Sequence, residues 1–183
     1  MTSTLIVTIP HRAEILCSEL SMLDVKEFVR TYTSEAESSI SFAWNGKHAT
    51  GFVDTNMLFR KEVCDYFEGG NEVLPLPLIA ALYKAETLFA KEAWGVNAVV
   101  SRLAQELLEK GGVEYLGIYL EGARCGMDAF MATGNITLSK QRCQKLVHQC
   151  QANATAKGGN EKQWALLADR FSFLLSKPVR HDS

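Results

Sequence analysis

The sequence has no apolar run long enough to cross a membrane. Its longest strongly apolar stretch covers residues 73–83, and Pro75 and Pro77 interrupt it, whereas a transmembrane helix needs about 20 apolar residues. The first ten residues also lack the basic region and the long apolar core of a secretory signal peptide. We therefore expect no membrane contact and a cytoplasmic location.

Cysteine and glycine are present, but not in the spacings of metal or phosphate sites. The chain has five cysteines, and no two are spaced as Cys-x-x-Cys. An odd number cannot pair completely within one chain, so free thiols in a reducing compartment are expected. Neither Gly-x-Gly-x-x-Gly nor Gly-x-x-x-x-Gly-Lys-Ser/Thr occurs. The sequence therefore predicts no metal and no cofactor.

Histidine is scarce, which limits acid–base and nucleophilic chemistry. The chain has four histidines, and only His48 is expected on a rigid element. No nucleophile-elbow spacing accompanies them. The sequence therefore favours a non-catalytic protein, although scattered residues can still assemble into an active site.

What the sequence does contain is an ordinary globular composition. Its 183 residues are 47% apolar and 22% charged, which is enough for one core and too little for two ordinary domains. We predict a single domain over residues 1–183. A strand, helix and hairpin part covers 1–54, a helical part covers 55–177, and a tail covers 178–183.

Two segments predict a small antiparallel sheet. Residues 4–9 are rich in β-branched side chains, which favour a strand. Residues 40–44 alternate large and small side chains, and a second strand-like run, residues 47–53, follows Asn45-Gly46, the dipeptide typical of a two-residue hairpin turn. Such a turn would place Trp44 opposite Lys47.

Helical periodicity covers most of the remaining chain. Apolar residues recur three and four positions apart, and Gly, Pro and Asn residues bound the segments. Residues 113–134 fit either a strand or a helix, and the helix is favoured. The other predicted helices are residues 11–32 with a break near Ser21, 56–67, 77–94, 97–110, 139–152 and 160–176.

Together these elements predict an α+β fold that is predominantly helical. The small antiparallel sheet, built from residues 4–9 and the hairpin at 40–53, packs on about five to seven helices. The side chains expected in the core are Phe42, Trp44, Leu82, Phe89, Leu103, Leu107, Trp164, Leu167 and Phe171.

Charge is divided unevenly along the chain. Residues 1–136 hold 11 basic and 18 acidic side chains, whereas residues 137–183 hold 8 basic and 3 acidic ones. The two parts can attract each other within one fold. As an alternative, the basic segment 137–162 contacts the phosphates of a nucleic acid. The candidate contacts are Lys140, Arg142, Lys145, Lys157 and Lys162.

A second alternative is a small-ligand-binding protein or enzyme with a pocket near residues 113–130. Three glycines in this segment allow another helix or a bound molecule to approach the backbone closely. Its carboxylates, placed seven residues apart, can share a helix face and take part in acid–base work. The candidate pocket residues are Tyr115, Tyr119, Glu121, Arg124 and, from the hairpin, His48.

The sequence favours a non-catalytic protein-binding or regulatory protein over both alternatives. The absence of a catalytic set, a cofactor motif and a metal-ligand pattern is the main reason. An exposed hairpin edge can also pair with a strand of a partner or of a second copy. We therefore expect a protein partner, with self-association as one form of it.

Overall fold

A computed structural model describes residues 25–70, 72–93, 95–156, 158 and 160–176. Over these residues the chain is helical and contains no strand. Short 3₁₀ turns at Ser34–Ser39, Ala49–Gly51 and Gly112–Tyr115 lie between helices. The helices are α1 (residues 25–31), α2 (Met57–Glu68), α3 (Leu76–Ala93), α4 (Val99–Glu106), α5 (Leu116–Ala123), α6 (Met127–Gly134), α7 (Lys140–Thr155) and α8 (Glu161–Ser176).

The core is built around α3. This helix is rich in leucine and alanine, and its Pro77 lies in the first turn, where a missing N–H breaks no helical hydrogen bond. Ten of its 18 residues are buried, so other elements cover it on most sides. Helices α4, α5 and α6 pack directly against it.

α4 continues beyond its last α-helical residue into a π-helical turn at Leu107–Gly111. The chain then turns at Gly112, whose φ of +62° is a left-handed value that favours glycine. The guanidinium of Arg142 lies over this glycine and donates to the carbonyl of Glu109 at 2.6 Å. Arg142 of α7 thereby provides a hydrogen-bond donor to a carbonyl of the π-helical turn.

α7 and α8 form a helical hairpin and make the most extensive helix–helix contact in the described part of the chain. Each helix contributes an apolar stripe with the three- and four-residue spacing of an amphipathic helix. The buried residues of the two stripes are Cys143, Leu146 and Cys150 on α7, and Leu167, Ala168 and Phe171 on α8.

The predicted α+β fold is wrong for the part of the chain that the structure describes, which is all-helical. Residues 40–53 form no hairpin. A single isolated bridge joins Trp44 to Asp54, and a 3₁₀ turn at Ala49–Gly51 lies between them. The second predicted strand, at residues 4–9, lies outside the described residues.

The side chain of Asn45 explains why the hairpin does not form. Its Oδ1 accepts from the backbone N–H groups of Lys47 and Val53, at 3.1 and 3.2 Å. Its Nδ2 donates to the carbonyl of Gly51 at 2.8 Å. The carboxamide therefore takes backbone groups that a two-stranded ladder would have paired, and the segment folds as a loop.

From residue 25 onward the helical predictions are confirmed apart from their ends and a break at residues 124–126. Residues 113–134 form α5 and α6 rather than a strand, and the five later predicted helices correspond to α2, α3, α4, α7 and α8. The break near Ser21 and the tail at 178–183 lie outside the described residues. Of the predicted core, the buried members are Leu82, Leu103, Leu107, Leu167 and Phe171, and the half-buried members are Phe42, Trp44, Phe89 and Trp164.

Candidate functional site

Helices α6 and α8 both expose apolar side chains, and one arginine contact joins them. Met127 and Met131, one turn apart on α6, are 75% and 64% exposed, and Leu166 on α8 is 51% exposed. The guanidinium carbon of Arg170 stands 3.7 Å from the ring centre of Phe130, which joins the two helices. Because residues four apart share a helix face, Leu166 lies beside Arg170. We call these five residues the α6–α8 surface.

Neutral oxygen atoms hold Arg170 in place. Its Nη1 donates to the hydroxyls of Tyr119 and Thr133 at 3.1 and 3.2 Å, and its Nη2 donates to the carbonyl of Phe130 at 2.8 Å. Within the described residues, no carboxylate oxygen lies within 4.0 Å of this guanidinium. A half-buried positive charge is therefore fixed without an acidic partner from that part of the chain.

Tyr119 gives Arg170 a rigid support. Its ring lies parallel to that of Tyr83, with centroids 6.1 Å apart, and its hydroxyl donates to the carbonyl of Thr133 at 2.8 Å. Burial raises the pKa of Tyr119, and the charge of Arg170 offsets this only in part. The phenol therefore stays protonated at neutral pH and serves as a hydrogen-bonding group rather than a base.

A buried ion network occupies a second place in the fold. Arg60 is fully buried, and its Nε and Nη2 donate to Glu86 Oε1 and Asp54 Oδ2, both at 2.6 Å. Its Nη1 reaches the carbonyls of Ile40 and Ser41. Burial lowers the pKa of Arg60, but the hydrogen bonds and charges of the two carboxylates outweigh it and raise the pKa.

The network fastens the loop of residues 40–56 to α2 and α3. Asp54 Oδ1 accepts from the backbone N–H groups of Ala43 and Asn56, at 3.1 and 3.2 Å. Asn56 in turn donates to the carbonyl of Ser41 at 2.9 Å. In the described part of the chain, no buried polar side-chain atom lacks a hydrogen-bond partner. The main role of the network is therefore to hold this loop in place.

The structure places the residues of the predicted pocket in different surroundings. Tyr119 is buried in the core, whereas Glu121 and Arg124 are exposed and Tyr115 is half-buried. Arg124 Nη1 donates to Oδ1 of Asn160, just ahead of α8, at 3.0 Å. His48 is exposed on the 40–56 loop. The catalytic or ligand-binding use of this set stays a prediction.

The basic residues predicted to contact a nucleic acid also differ in their surroundings. Arg142 is half-buried, and its guanidinium is bonded at the end of the π-helical turn. Lys140, Lys145 and Lys162 are exposed, and Lys157 lies outside the described residues. The nucleic-acid hypothesis stays a prediction, and the guanidinium of Arg142 is already engaged within the fold, with the carbonyl of Glu109.

A carboxylate already occupies the N-terminus of α7, beside Lys140. Glu109 accepts from the backbone N–H and the hydroxyl of Ser139, at 3.1 and 2.8 Å. Ser139 Oγ in turn accepts from the N–H of Arg142 at 3.3 Å. A negative group is favourable at this end of a helix, so Glu109 stands where a phosphate would otherwise bind.

The replacement Ser139→Ala is expected to lower the free energy of unfolding by about 1 kcal/mol, because it removes the N-cap of α7. Urea denaturation followed by circular dichroism measures the change. Ser38→Ala, at an exposed position in a 3₁₀ turn, is the matched control and should stay within about 0.5 kcal/mol of the parent. Equal stability of the two variants would contradict the capping role.

The described thiols are poorly suited to nucleophilic chemistry. No disulfide joins Cys64, Cys125, Cys143 or Cys150. Burial raises the pKa of Cys150 to about 12, and it also raises the pKa of Cys125 and Cys143. Burial and the neighbouring Glu86 carboxylate raise the pKa of Cys64. Because the thiolate is the reactive form, the raised pKa values keep these cysteines in the less reactive thiol form at neutral pH.

No protein-family model, no characterised protein and no solved structure matches this chain. Within the described ranges, no helix combines the length and the apolarity needed to cross a membrane. The same residues contain no group of three or more His, Cys, Asp or Glu side chains placed to hold a metal ion. Function has to be inferred from the surfaces and cavities of this chain itself.

Proposed function

We propose that this chain is a non-catalytic protein-binding protein whose α6–α8 surface takes an amphipathic helix of a partner protein. One observation carries the proposal: Arg170 of α8 is fixed against Phe130 of α6, and the same two helices expose the apolar side chains of Met127, Met131 and Leu166. Single exposed apolar residues are ordinary on protein surfaces. Several of them on two helices that an anchored arginine joins are typical of an interaction site.

The chemistry of the surface favours a helix with an acidic residue. Methionine side chains are flexible and polarizable, so Met127 and Met131 can adapt to apolar residues presented three or four positions apart. Arg170 offers its positive charge to a carboxylate, and such a charge-assisted hydrogen bond fixes the register of the docked helix. The protonated thiols and the structural role of Tyr119 support a non-catalytic protein.

The test compares the proteins that tagged parent and variant chains retain from nuclease-treated lysate of the native host. Met131→Glu puts a negative charge into the apolar surface, and we expect at least about a tenfold loss of the specific partner, or about 1.4 kcal/mol. Val73→Glu is the matched control, because Val73 is 77% exposed in the loop before α3. It should retain the partner fully.

A retained protein supports the proposal only if a helical peptide from it binds the parent and loses affinity for Met131→Glu. Equal retention of every protein by the two variants would overturn the proposal. Loss of all bound material on nuclease treatment would favour the basic segment with Lys140, Lys145 and Lys162 instead. Capture of a second copy alone would favour self-association over a different partner.

A further inference from the structure

A cavity of about 280 Å³ opens between α2, the end of α3 and the start of α4. Its apolar walls include Met57 and Leu58 from α2, Phe89 from α3 and Val99 from α4. This volume lies near the lower limit of small-molecule sites, about 300 Å³. The cavity therefore has room for a small organic molecule and not for a peptide.

A carboxylate of the buried ion network forms part of the cavity wall. Glu86 lines the cavity although it is only 3% exposed. Its Oε1 accepts from Arg60, and its Oε2 accepts from Asn97, which lines the cavity too. An ionised carboxylate offers about four acceptor positions. Glu86 therefore keeps the capacity to accept from a further donor.

Counted in formal charges over the described residues, the network has one more negative group than positive groups. Arg60 supplies one positive charge, and Asp54 and Glu86 supply two negative charges, all of them buried. An uncompensated charge away from water is strongly unfavourable. Lys61 also lines the cavity, but its ammonium pairs with Asp65 at 2.5 Å. A cation that enters the cavity would restore the balance at Glu86.

We propose that this cavity binds a small organic monocation: a primary ammonium that donates to Glu86 and carries an apolar body. The apolar body packs against Met57, Phe89 and Val99. Asp65 and Glu68 of α2 also line the cavity, but no three or more His, Cys, Asp or Glu side chains of the described residues are placed to hold a metal ion. The thiol of Cys64, which also lines the cavity, is protonated and adds to the apolar wall. This site is independent of the α6–α8 surface.

The test is a titration of the full chain with benzylamine, which is charged at neutral pH, followed by two-dimensional amide NMR. Benzyl alcohol, its neutral isostere, should bind at least about tenfold more weakly, and benzoate, of opposite charge, should not bind. Shifts are expected at the side-chain amide of Asn97 and the backbone of Ala98 and Val99. Equal affinity for the amine and the alcohol, or shifts spread over the whole surface, would overturn the proposal.

Two variants locate the site. Ala98→Phe fills the cavity from an exposed position and should abolish benzylamine binding, whereas Ala152→Phe, at an exposed position on α7, should leave it unchanged. Glu86→Gln removes the negative charge and should bring the affinity for benzylamine down to that for benzyl alcohol. If this variant does not fold, Ala98→Phe decides: undiminished binding by it would refute the proposal.

Discussion

Replacement of Arg60 by methionine is expected to lower the free energy of unfolding by about 3–5 kcal/mol. Methionine fills much of the same volume but provides no hydrogen-bond donor. Asp54 and Glu86 then remain buried without a cation, and the carbonyls of Ile40 and Ser41 lose their donor. Urea denaturation followed by circular dichroism, read as a shift in midpoint at constant slope, measures the loss.

The loss should depend on pH in a defined direction. In Arg60→Met, protonation of either carboxylate removes a buried negative charge, so the variant regains stability as the pH falls from about 8 to 5. In the parent the guanidinium stays charged throughout, since its carboxylate partners outweigh burial and raise the pKa of Arg60. The difference in stability between parent and variant should therefore be largest at high pH.

Lys61→Met is the matched control for this experiment. Lys61 follows Arg60 directly but is exposed and pairs only along its own helix, with Asp65. Exposed pairs of this kind contribute little, so the control should unfold close to the parent. If Arg60→Met is as stable as Lys61→Met, or gains stability as the pH rises, the network does not hold the loop as described.

The helices were predictable because their pattern is local. In α8 the apolar residues recur at the helical period, and in α5 the same period outweighs Gly117 and Gly122, whereas Gly126, with φ +152°, lies at the break between α5 and α6. Each such stripe needs only some apolar surface to pack on, and the α7–α8 hairpin and α3 supply it. Only the helix ends moved, since capping depends on neighbours such as Glu109, which is distant in sequence from Ser139.

The hairpin prediction failed in its turn as well as in its pairing. Gly46 adopts a positive φ, +76°, but Asn45 does not, so the two-residue turn, which needs a positive φ at both positions, does not form. Besides the local contacts of Asn45, a distant residue takes part: Asp54, which accepts from the N–H of Ala43, is held by Arg60 of α2. These contacts set the geometry of the loop. They depend on Arg60, which lies outside residues 40–53 and so cannot be inferred from the pattern of that segment.

Sequence reasoning overlooked both arginines that organise the candidate sites. Charged residues are usually solvated, and neither composition nor motif singles out Arg60 or Arg170. Spacing carried a signal nonetheless: Arg60 lies three, four and seven residues before Val63, Cys64 and Phe67, and so falls on the buried stripe of α2. Arg170 stands at the edge of the α8 stripe in the same manner, beside Leu167 and Phe171.

The variants Gly122→Ala and Gly117→Ala, on the same helix, are expected to change stability in opposite directions. A methyl group at Gly122 would lie 2.6 Å from Cζ of Tyr83. That ring cannot yield easily, because it stacks on Tyr119 and its hydroxyl donates to the Tyr119 carbonyl at 2.8 Å. Overpacking of this kind costs about 1–3 kcal/mol, and we expect Gly122→Ala to be destabilised despite its better helix propensity.

Gly117 provides the matched control, because nothing lies within 4 Å of a methyl group added there and the residue is exposed. Gly117→Ala should therefore gain about 0.5–1 kcal/mol from helix propensity alone. The double variant Gly122→Ala/Tyr83→Leu should lose less than the sum of its single changes, since the smaller side chain relieves the clash. Additive losses, or a gain for Gly122→Ala equal to that of Gly117→Ala, would show that α5 does not rest on Tyr83 through Gly122. The support that Tyr119 gives to Arg170 depends on that contact, so the result also tests how firmly the α6–α8 surface is held.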